Sequence, residues 1–236
     1  MKVLELFSGT HSVGKVAREK GWEVLSLDID GDADINIDIL KWDYKKDYKE
    51  GDFDIIFASP PCHTFSNCRR CWIGRKIKEF GDEIVTAELL DDDMIKNGLP
   101  LLRKTQEIIK YFKPKFWFIE NPQTSKMKNF LPDLAYYDID YCKYSDWGYR
   151  KRTRIWTNVE NFDPKLCNKD CENMFDPTKH KKDVGNYYKN KNGNIKKMHK
   201  NNLGGATNKL TNGKSGDKNL KYRIPPKLIN ELFSGI

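Results

Sequence analysis

Phe53-Asp54-Ile55-Ile56-Phe57-Ala58-Ser59-Pro60-Pro61-Cys62-His63-Thr64-Phe65-Ser66 is the stretch on which the fold turns. Its first half is an apolar β-type run, and Pro60 and Pro61 end it because neither has the N–H that a sheet ladder needs. An apolar run without polar alternation reads as a strand covered on both faces, the habit of central strands in parallel sheets. Toward the N-terminus, Val3-Leu4-Glu5-Leu6-Phe7 is a short strand that stops at Ser8-Gly9-Thr10. Ser12 then caps a helix through Lys20, with Val13, Val16 and Ala17 on its inner face. Trp22 to Leu27 reads as the next strand, with Asp28 at its end, and a further strand lies near Ile35-Asn36-Ile37. Toward the C-terminus, Leu101, Leu102, Thr105, Ile108, Ile109 and Phe112 share one helical face. Phe116-Trp117-Phe118-Ile119 follows as a buried strand, with later strands around Tyr136–Cys142 and Thr153–Thr157. This alternation predicts an α/β protein with a doubly wound, Rossmann-like parallel sheet.

From about residue 158 Lys, Asn and Gly take over and apolar periodicity fades. Order returns at Tyr222-Arg223-Ile224-Pro225-Pro226, followed by a helix carrying Leu228, Ile229, Leu232 and Phe233. The expected organisation is a body over 1–157, a small basic insert over 158–221, and a segment over 222–236 that rejoins the body. Charge follows the same division. Residues 1–156 hold 26 Lys/Arg and 26 Asp/Glu, so the net +8 arises wholly from the remainder, with 16 against 8. A neutral body with a basic appendage suits a polyanionic partner. The 12% aromatic content is too rich in core-formers for wholesale disorder. No apolar run reaches the roughly 18 residues of a membrane span, and Glu5 interrupts any signal-peptide core. The expectation is an intracellular protein (cytoplasm or nucleus, not secreted) whose six cysteines are reduced.

Three places carry chemistry. Phe7-Ser8-Gly9-Thr10-His11-Ser12 joins the first strand to the first helix, where doubly wound sheets bind nucleotide-type cofactors on free helix N–H groups. Asp28 stands at the end of the second strand, in reach of ribose hydroxyls, and Asp38-Ile39 in reach of an adenine. The missing glycine triplet argues against a dinucleotide. Pro61-Cys62 presents a thiol outside the carboxyl end of a central strand, and a thiolate there needs cations, for which Arg152 and Arg154 are candidates. Glu120, in Phe118-Ile119-Glu120-Asn121-Pro122, ends another buried strand. Cys68-x2-Cys71 and Cys167-x3-Cys171, with His180 beyond, have zinc-like spacings. The pairs stand far apart, so no metal ligands are assigned and a metal-free protein is expected.

In order and content these motifs resemble the cytosine C5-specific DNA methyltransferase family, in particular a short, virus- or phage-like member with a reduced target-recognition region. Phe7-Ser8-Gly9 is similar to its cofactor turn, Pro61-Cys62 with Phe65-Ser66 to its nucleophile motif, and Glu120-Asn121 to its Glu-Asn-Val. Arg152-Thr153-Arg154 resembles its Arg-x-Arg, Ile224-Pro225-Pro226-Lys227-Leu228 its closing element, and Asn97-Gly98-Leu99 a cofactor-contacting segment. His11, Pro122 and Arg150 depart from the family's glycine, valine and glutamine.

The resemblance implies a class I methyltransferase domain and S-adenosyl-L-methionine as cofactor. Phe7 would stack on its adenine, Asp28 hold its ribose and Asp38 its amino group, with Ser8, Gly9, Thr10, His11, Ser12, Ile29, Ile39, Pro60, Gly98 and Leu99 completing the site. Cys62 would add to C6 of a cytosine flipped out of double-stranded DNA. Glu120 would bond its N3 and Arg154 its O2 side, with Arg152 nearby. Arg69, Arg70, Trp72, Arg75, Lys76 and Lys78 would form a mobile lid on phosphates and bases. Lys181, Lys182, Lys196 and Lys197 of the insert would hold phosphates, leaving a target of a few base pairs. A transfer-RNA-type cytosine C5 methyltransferase and a catalytically silent nucleic-acid-binding relative remain the alternatives. No membrane partner is expected, and a monomer is favoured.

Overall fold

The structure is a computed structural model that describes residues 1–174, 198–200 and 222–236. Seven strands form one sheet: β1 (Lys2–Leu6), β2 (Glu23–Asp28), β3 (Ile35–Asn36), β4 (Ile55–Ala58), β5 (Phe116–Pro122), β6 (Tyr136–Asp140) and β7 (Arg152–Thr157), in the order β3-β2-β1-β4-β5-β7-β6. The strands expected from sequence are all present, with bounds shifted by a few residues. The sheet is not wholly parallel, however, because β7 runs antiparallel to both β5 and β6. Its register against β6 is marked by charge pairs. Asp138 lies opposite Arg154 and Asp140 opposite Arg152, and such cross-strand pairs fix a register.

Strand residues alternate between two covered faces. Val3, Ile55, Phe57, Phe118 and Ile155 belong to a core shared with helices α1 (Ser12–Glu19) and α5 (Pro226–Ser234). Leu4, Leu6, Ile56 and Ala58 face the opposite way, toward the short α2 (Tyr44–Asp47) and the long α4 (Leu99–Phe112), which α3 (Ala87–Asp93) precedes in the chain. On that side Ile119 and Trp156 join a third cluster with Phe65, Leu99 and Leu102. Helix α4 buries Leu99, Leu102, Thr105, Ile108 and Phe112, a stripe at three- and four-residue spacing. Lys113 then ends it in the left-handed region, at φ 47°.

Helix α1 does not start on a side-chain cap from Ser12. His11 is the N-cap, left-handed at φ 53°, and Ser12 is already helical. The free amides of the first turn are taken instead by Glu5 of β1, whose carboxylate accepts the N–H groups of Val13 and Gly14, each at 3.0 Å. The Ser12 hydroxyl is left to accept the N–H of Ile224 at 3.1 Å, which ties the closing segment to the start of α1. Helix α5 lies alongside, with Phe233 5.1 Å from Trp22 and 6.2 Å from Phe118 between ring centres.

The first part of the expected insert is packed onto the body. Val159, Cys167 and Asn173 are buried, and Lys165 is paired with Glu231 of α5 at 2.6 Å. His180, Lys181, Lys182, Lys196 and Lys197 lie outside the described residues, as does the rest of the insert over 175–197 and 201–221.

Candidate active site

Three adjacent strands bring their carboxyl ends to one edge. Leu6 of β1 is level with Ala58 of β4, and Ala58 with Ile119 of β5. The cofactor-type turn, the Pro60-Pro61-Cys62 loop and Glu120 therefore emerge side by side, in the crevice where doubly wound sheets take their ligands.

The turn after β1 is sharply folded. Phe7, Gly9 and His11 all have positive φ, of 58°, 46° and 53°. Asp28 braces it by accepting the Gly9 N–H at 2.8 Å, while its other oxygen accepts the N–H of Asp30. Each carboxylate oxygen keeps further lone-pair capacity for a hydroxyl. The His11 ring bonds Asp32 at 2.8 Å, which holds the exposed Asp32 carboxyl below its usual range. Two buried polar atoms here, Ser8 Oγ and His11 Nδ1, have no hydrogen-bond partner among the described residues. Such atoms carry a cost unless a ligand or water meets them. Ile29, 64% exposed just beyond β2, adds an apolar surface that a base can cover. Asp38 caps a short turn by accepting the Leu40 N–H, and Ile39 is buried beneath it.

The nucleophile loop is pinned at both ends. The Pro60 carbonyl accepts the side-chain amide of Asn121 at 2.8 Å, and Asn121 is itself buried. Phe65 is fully buried, and its carbonyl accepts the Lys126 N–H at 2.9 Å. Cys62 lies between these anchors, half-buried. Gly98 and Leu99 sit beneath the loop. A Cβ on Gly98 would come within 2.2 Å of Thr64 Oγ1, and Leu99 packs in the cluster with Phe65.

Glu120 is 5% exposed, and its Oε1 accepts from the Tyr141 hydroxyl at 3.1 Å and from Lys151 Nζ at 3.5 Å. Burial, then the nearby Glu120 charge, pushes the Tyr141 hydroxyl well above its ordinary pKa, so it stays a donor. Arg152 and Arg154 are not on this face. Glu120 is paired in register with Ile155, and Arg154 with Asn121. By the two-residue alternation of strands, Arg152 and Arg154 point to the opposite side from Glu120, the side on which Asn121 holds the Pro60 carbonyl and Phe65 packs. Each is held there by two bonds to an aspartate of β6. Arg152 bonds Asp140 at 3.0 and 2.6 Å, and Arg154 bonds Asp138 at 2.7 and 2.8 Å. Arg154 also lies 3.6 Å above the Tyr136 ring. Lys151 is thus the cation that touches Glu120. Reading Arg-x-Arg without strand parity missed it. The matching two-residue spacing of Asp138 and Asp140 was the available signal.

The basic stretch after Cys62 divides in the same manner. Arg70, Arg75, Lys76 and Lys78 are exposed. Arg69 is 3% exposed, pairs with Glu79 at 2.9 Å and Asp93 at 2.6 Å, and lies against the rings of Trp72 and Phe80. It is an internal anchor rather than a phosphate contact. Backbone bonds between Gly74 and Val85 and between Val85 and Arg75 close the stretch into a small hairpin.

No protein-family model matches the chain. It is 42% identical over 237 residues, 99% of both chains, to the "Probable DNA (cytosine-5)-methyltransferase" of Frog virus 3 (isolate Goorha). The chain belongs to the DNA (cytosine-5)-methyltransferase family. S-adenosyl-L-methionine is the methyl donor of this family, and the orphaned Ser8 and His11 atoms beside exposed Ile29 fit such a ligand. Solved structures similar in fold include the Entamoeba histolytica methyltransferase EhMeth (16% identity, 71% of this chain and 55% of that one, TM-score 0.47). A mutant Spodoptera frugiperda DNMT2 is similar at 18% identity, 70% of this chain and 53% of that one, TM-score 0.43. The chain spans about half the length of each. Among the described residues, no helix is long and apolar enough to cross a membrane.

Proposed function

We propose that the protein transfers a methyl group from S-adenosyl-L-methionine to C5 of cytosine in DNA, with Cys62 as nucleophile and Glu120 as the carboxyl group at the base. The observation that carries this reading is the common edge of β1, β4 and β5, where the cofactor turn, the anchored Cys62 loop and Glu120 meet.

C5 of a cytosine is a poor nucleophile. The Cys62 thiolate adds to C6, which moves electron density onto C5 and N3, and the Glu120 carboxyl gives its proton to N3, so that no full negative charge is left on the ring. Lys151 and Tyr141 position the Glu120 carboxylate by donating to the same oxygen. The bound cofactor supplies an electrophilic methyl group. Loss of the C5 proton then restores the ring double bond and releases the Cys62 thiolate. Phe7, Ser8, His11, Asp28, Ile29 and Asp38 hold the cofactor. Arg152 and Arg154, clasped by Asp140 and Asp138, act by fixing β7, just ahead of which Lys151 stands. A stacked base cannot meet Cys62, so the target cytosine is flipped out of the duplex. The exposed cations Arg70, Arg75, Lys76 and Lys78 suit the phosphates around it. A substrate of this kind places the protein inside the cell, in cytoplasm or nucleus.

Cys62→Ala should abolish methyl transfer while cofactor binding stays nearly intact. A duplex carrying 5-fluorocytosine should trap the wild type covalently, because fluorine blocks the final elimination. Near-wild-type transfer by Cys62→Ala would refute the assignment. Methylation confined to RNA would move the substrate to that polymer.

A further inference from the structure

Apart from the catalytic edge, three cysteines and a histidine from separate segments converge on one point. They are Cys142, in the turn after β6, Cys167 and Cys171 in Cys167-Asn168-Lys169-Asp170-Cys171, and His199, whose backbone bridges to Met174. One potential ligand atom from each lies within 4.8 Å of all the others. The geometry points to a structural Zn2+ site formed by Cys142, Cys167, Cys171 and His199. The inference is independent of the methyl-transfer reading.

Metric detail supports a tetrahedral ion. Zinc bonds of about 2.3 Å to sulfur and about 2.0–2.1 Å to nitrogen set sulfur–nitrogen separations of about 3.6 Å around a tetrahedron. His199 Nε2 lies 3.5 Å from Cys167 Sγ and 3.4 Å from Cys171 Sγ. The imidazole nitrogen is therefore aimed between two sulfurs, as a fourth vertex would be. None of the six cysteines is in a disulfide, and an S–S bond between any two of these three would leave the third thiol and the imidazole with no common role. Three thiolates and an imidazole form a soft donor set that selects zinc over the oxygen-seeking Mg2+ and Ca2+. Four protein ligands close the coordination sphere, which marks a structural rather than a catalytic ion.

The surroundings are arranged to hold these ligands. Lys169 donates its backbone N–H to Cys167 Sγ at 3.3 Å, from a left-handed turn at φ 62° that folds the loop around the sulfur. Such an amide stabilises a thiolate. The Asn173 side chain donates to the carbonyls of Cys142 and Ser145 and accepts the Gly148 N–H, which locks the Cys142 turn against the cysteine loop. Cys167 donates its N–H to Asp140 at 2.8 Å, and Asp140 clasps Arg152 of β7. The ion would thus tie Cys171 and His199 to the Cys142 turn and, through Asp140 and Arg152, steady the start of β7 beside Lys151.

The test uses the full-length, untagged chain purified under reductant without chelator. Elemental analysis should find about one Zn2+ per chain. Cys171→Ser and His199→Ala should each lose most of it, while Cys68→Ser and Cys71→Ser, exposed and remote, should retain it. Because a ligand variant can fail to fold, Co2+ exchanged into the wild type provides a second readout. Strong thiolate-to-cobalt absorption with the d–d bands of a tetrahedral ion is expected. Wild type that is zinc-free, melts cooperatively and develops no such spectrum would overturn the site. So would a disulfide between any two of Cys142, Cys167 and Cys171, or zinc that leaves with Cys68 or Cys71.

Discussion

Glu5 and Glu120 are two buried glutamates on the same face of the sheet, on strands separated only by β4, and they do different work. Glu5 is 3% exposed, and both of its oxygens are turned onto the first amides of α1. Its hydrogen-bond partners are neutral N–H groups, and burial pushes its pKa up to about 7 in spite of them. Glu120 is nearly as buried, yet it stands at the strand end and receives an ammonium and a hydroxyl on one oxygen. That pattern orients the group and leaves its second oxygen for a base. The comparison teaches that depth does not assign a buried carboxylate its role. The partners do, together with distance along the strand from the open edge.

The sharpest way to break the contrast is Glu120→Gln. An amide cannot deliver the proton that N3 takes up, so methyl transfer should fall about 10²–10³-fold, with little change in melting, because Tyr141 and Lys151 can still bond the amide oxygen. Steady-state transfer to duplex DNA, read beside a melting curve, checks it. Intact activity would return Glu120 to the same structural class as Glu5.

Glu5→Gln tests the other half through pH. A carboxyl whose folded pKa lies above its usual 4.5 contributes stability that is whole below about pH 4.5 and drains as the pH rises through about 7. Glutamine has nothing to ionise. The stability of wild type relative to Glu5→Gln should therefore fall by up to about 3 kcal/mol between pH 4.5 and 8. Denaturant titrations at both pH values would show it. A constant gap, or one that widens toward pH 8, would mean that Glu5 ionises without penalty in the fold.

The smallest effect concerns the space above Glu5. A Cβ on Gly14 would stand 2.6 Å from Glu5 Oε2 and 3.2 Å from Val24 Cγ1. Gly14→Ala should cost about 1–2 kcal/mol of stability, overpacking outweighing the gain in helix propensity. In a Glu5→Ala background the same change should become neutral or favourable. Equal costs in both backgrounds would show that the carboxylate is not what excludes the methyl group.

Much of this was legible in the chain itself. Apolar runs halted by Pro60-Pro61 or by Ser8-Gly9 announce strand ends, so Cys62, Glu120, Asp28 and the Phe7–Ser12 turn fall at the carboxyl ends of strands from local pattern alone. Helix α4 and the return of α5 are likewise written in their periodicities. These features depend on neighbours a few residues apart, and short-range stereochemistry decides them. The rest depended on register and on closure between distant segments. Whether Arg154 or Lys151 meets Glu120 turns on a single step of strand parity, set by Asp138 and Asp140 pulling both arginines to the far face. That Glu5 and not Ser12 satisfies α1, that Arg69 is an internal anchor, and that Cys142 and His199 join Cys167 and Cys171 follow only once the sheet is assembled. The physical reason is common to all four. A buried charge, a free amide or a thiol takes whichever partner the packed chain brings within about 3 Å, and linear spacing carries no record of that choice.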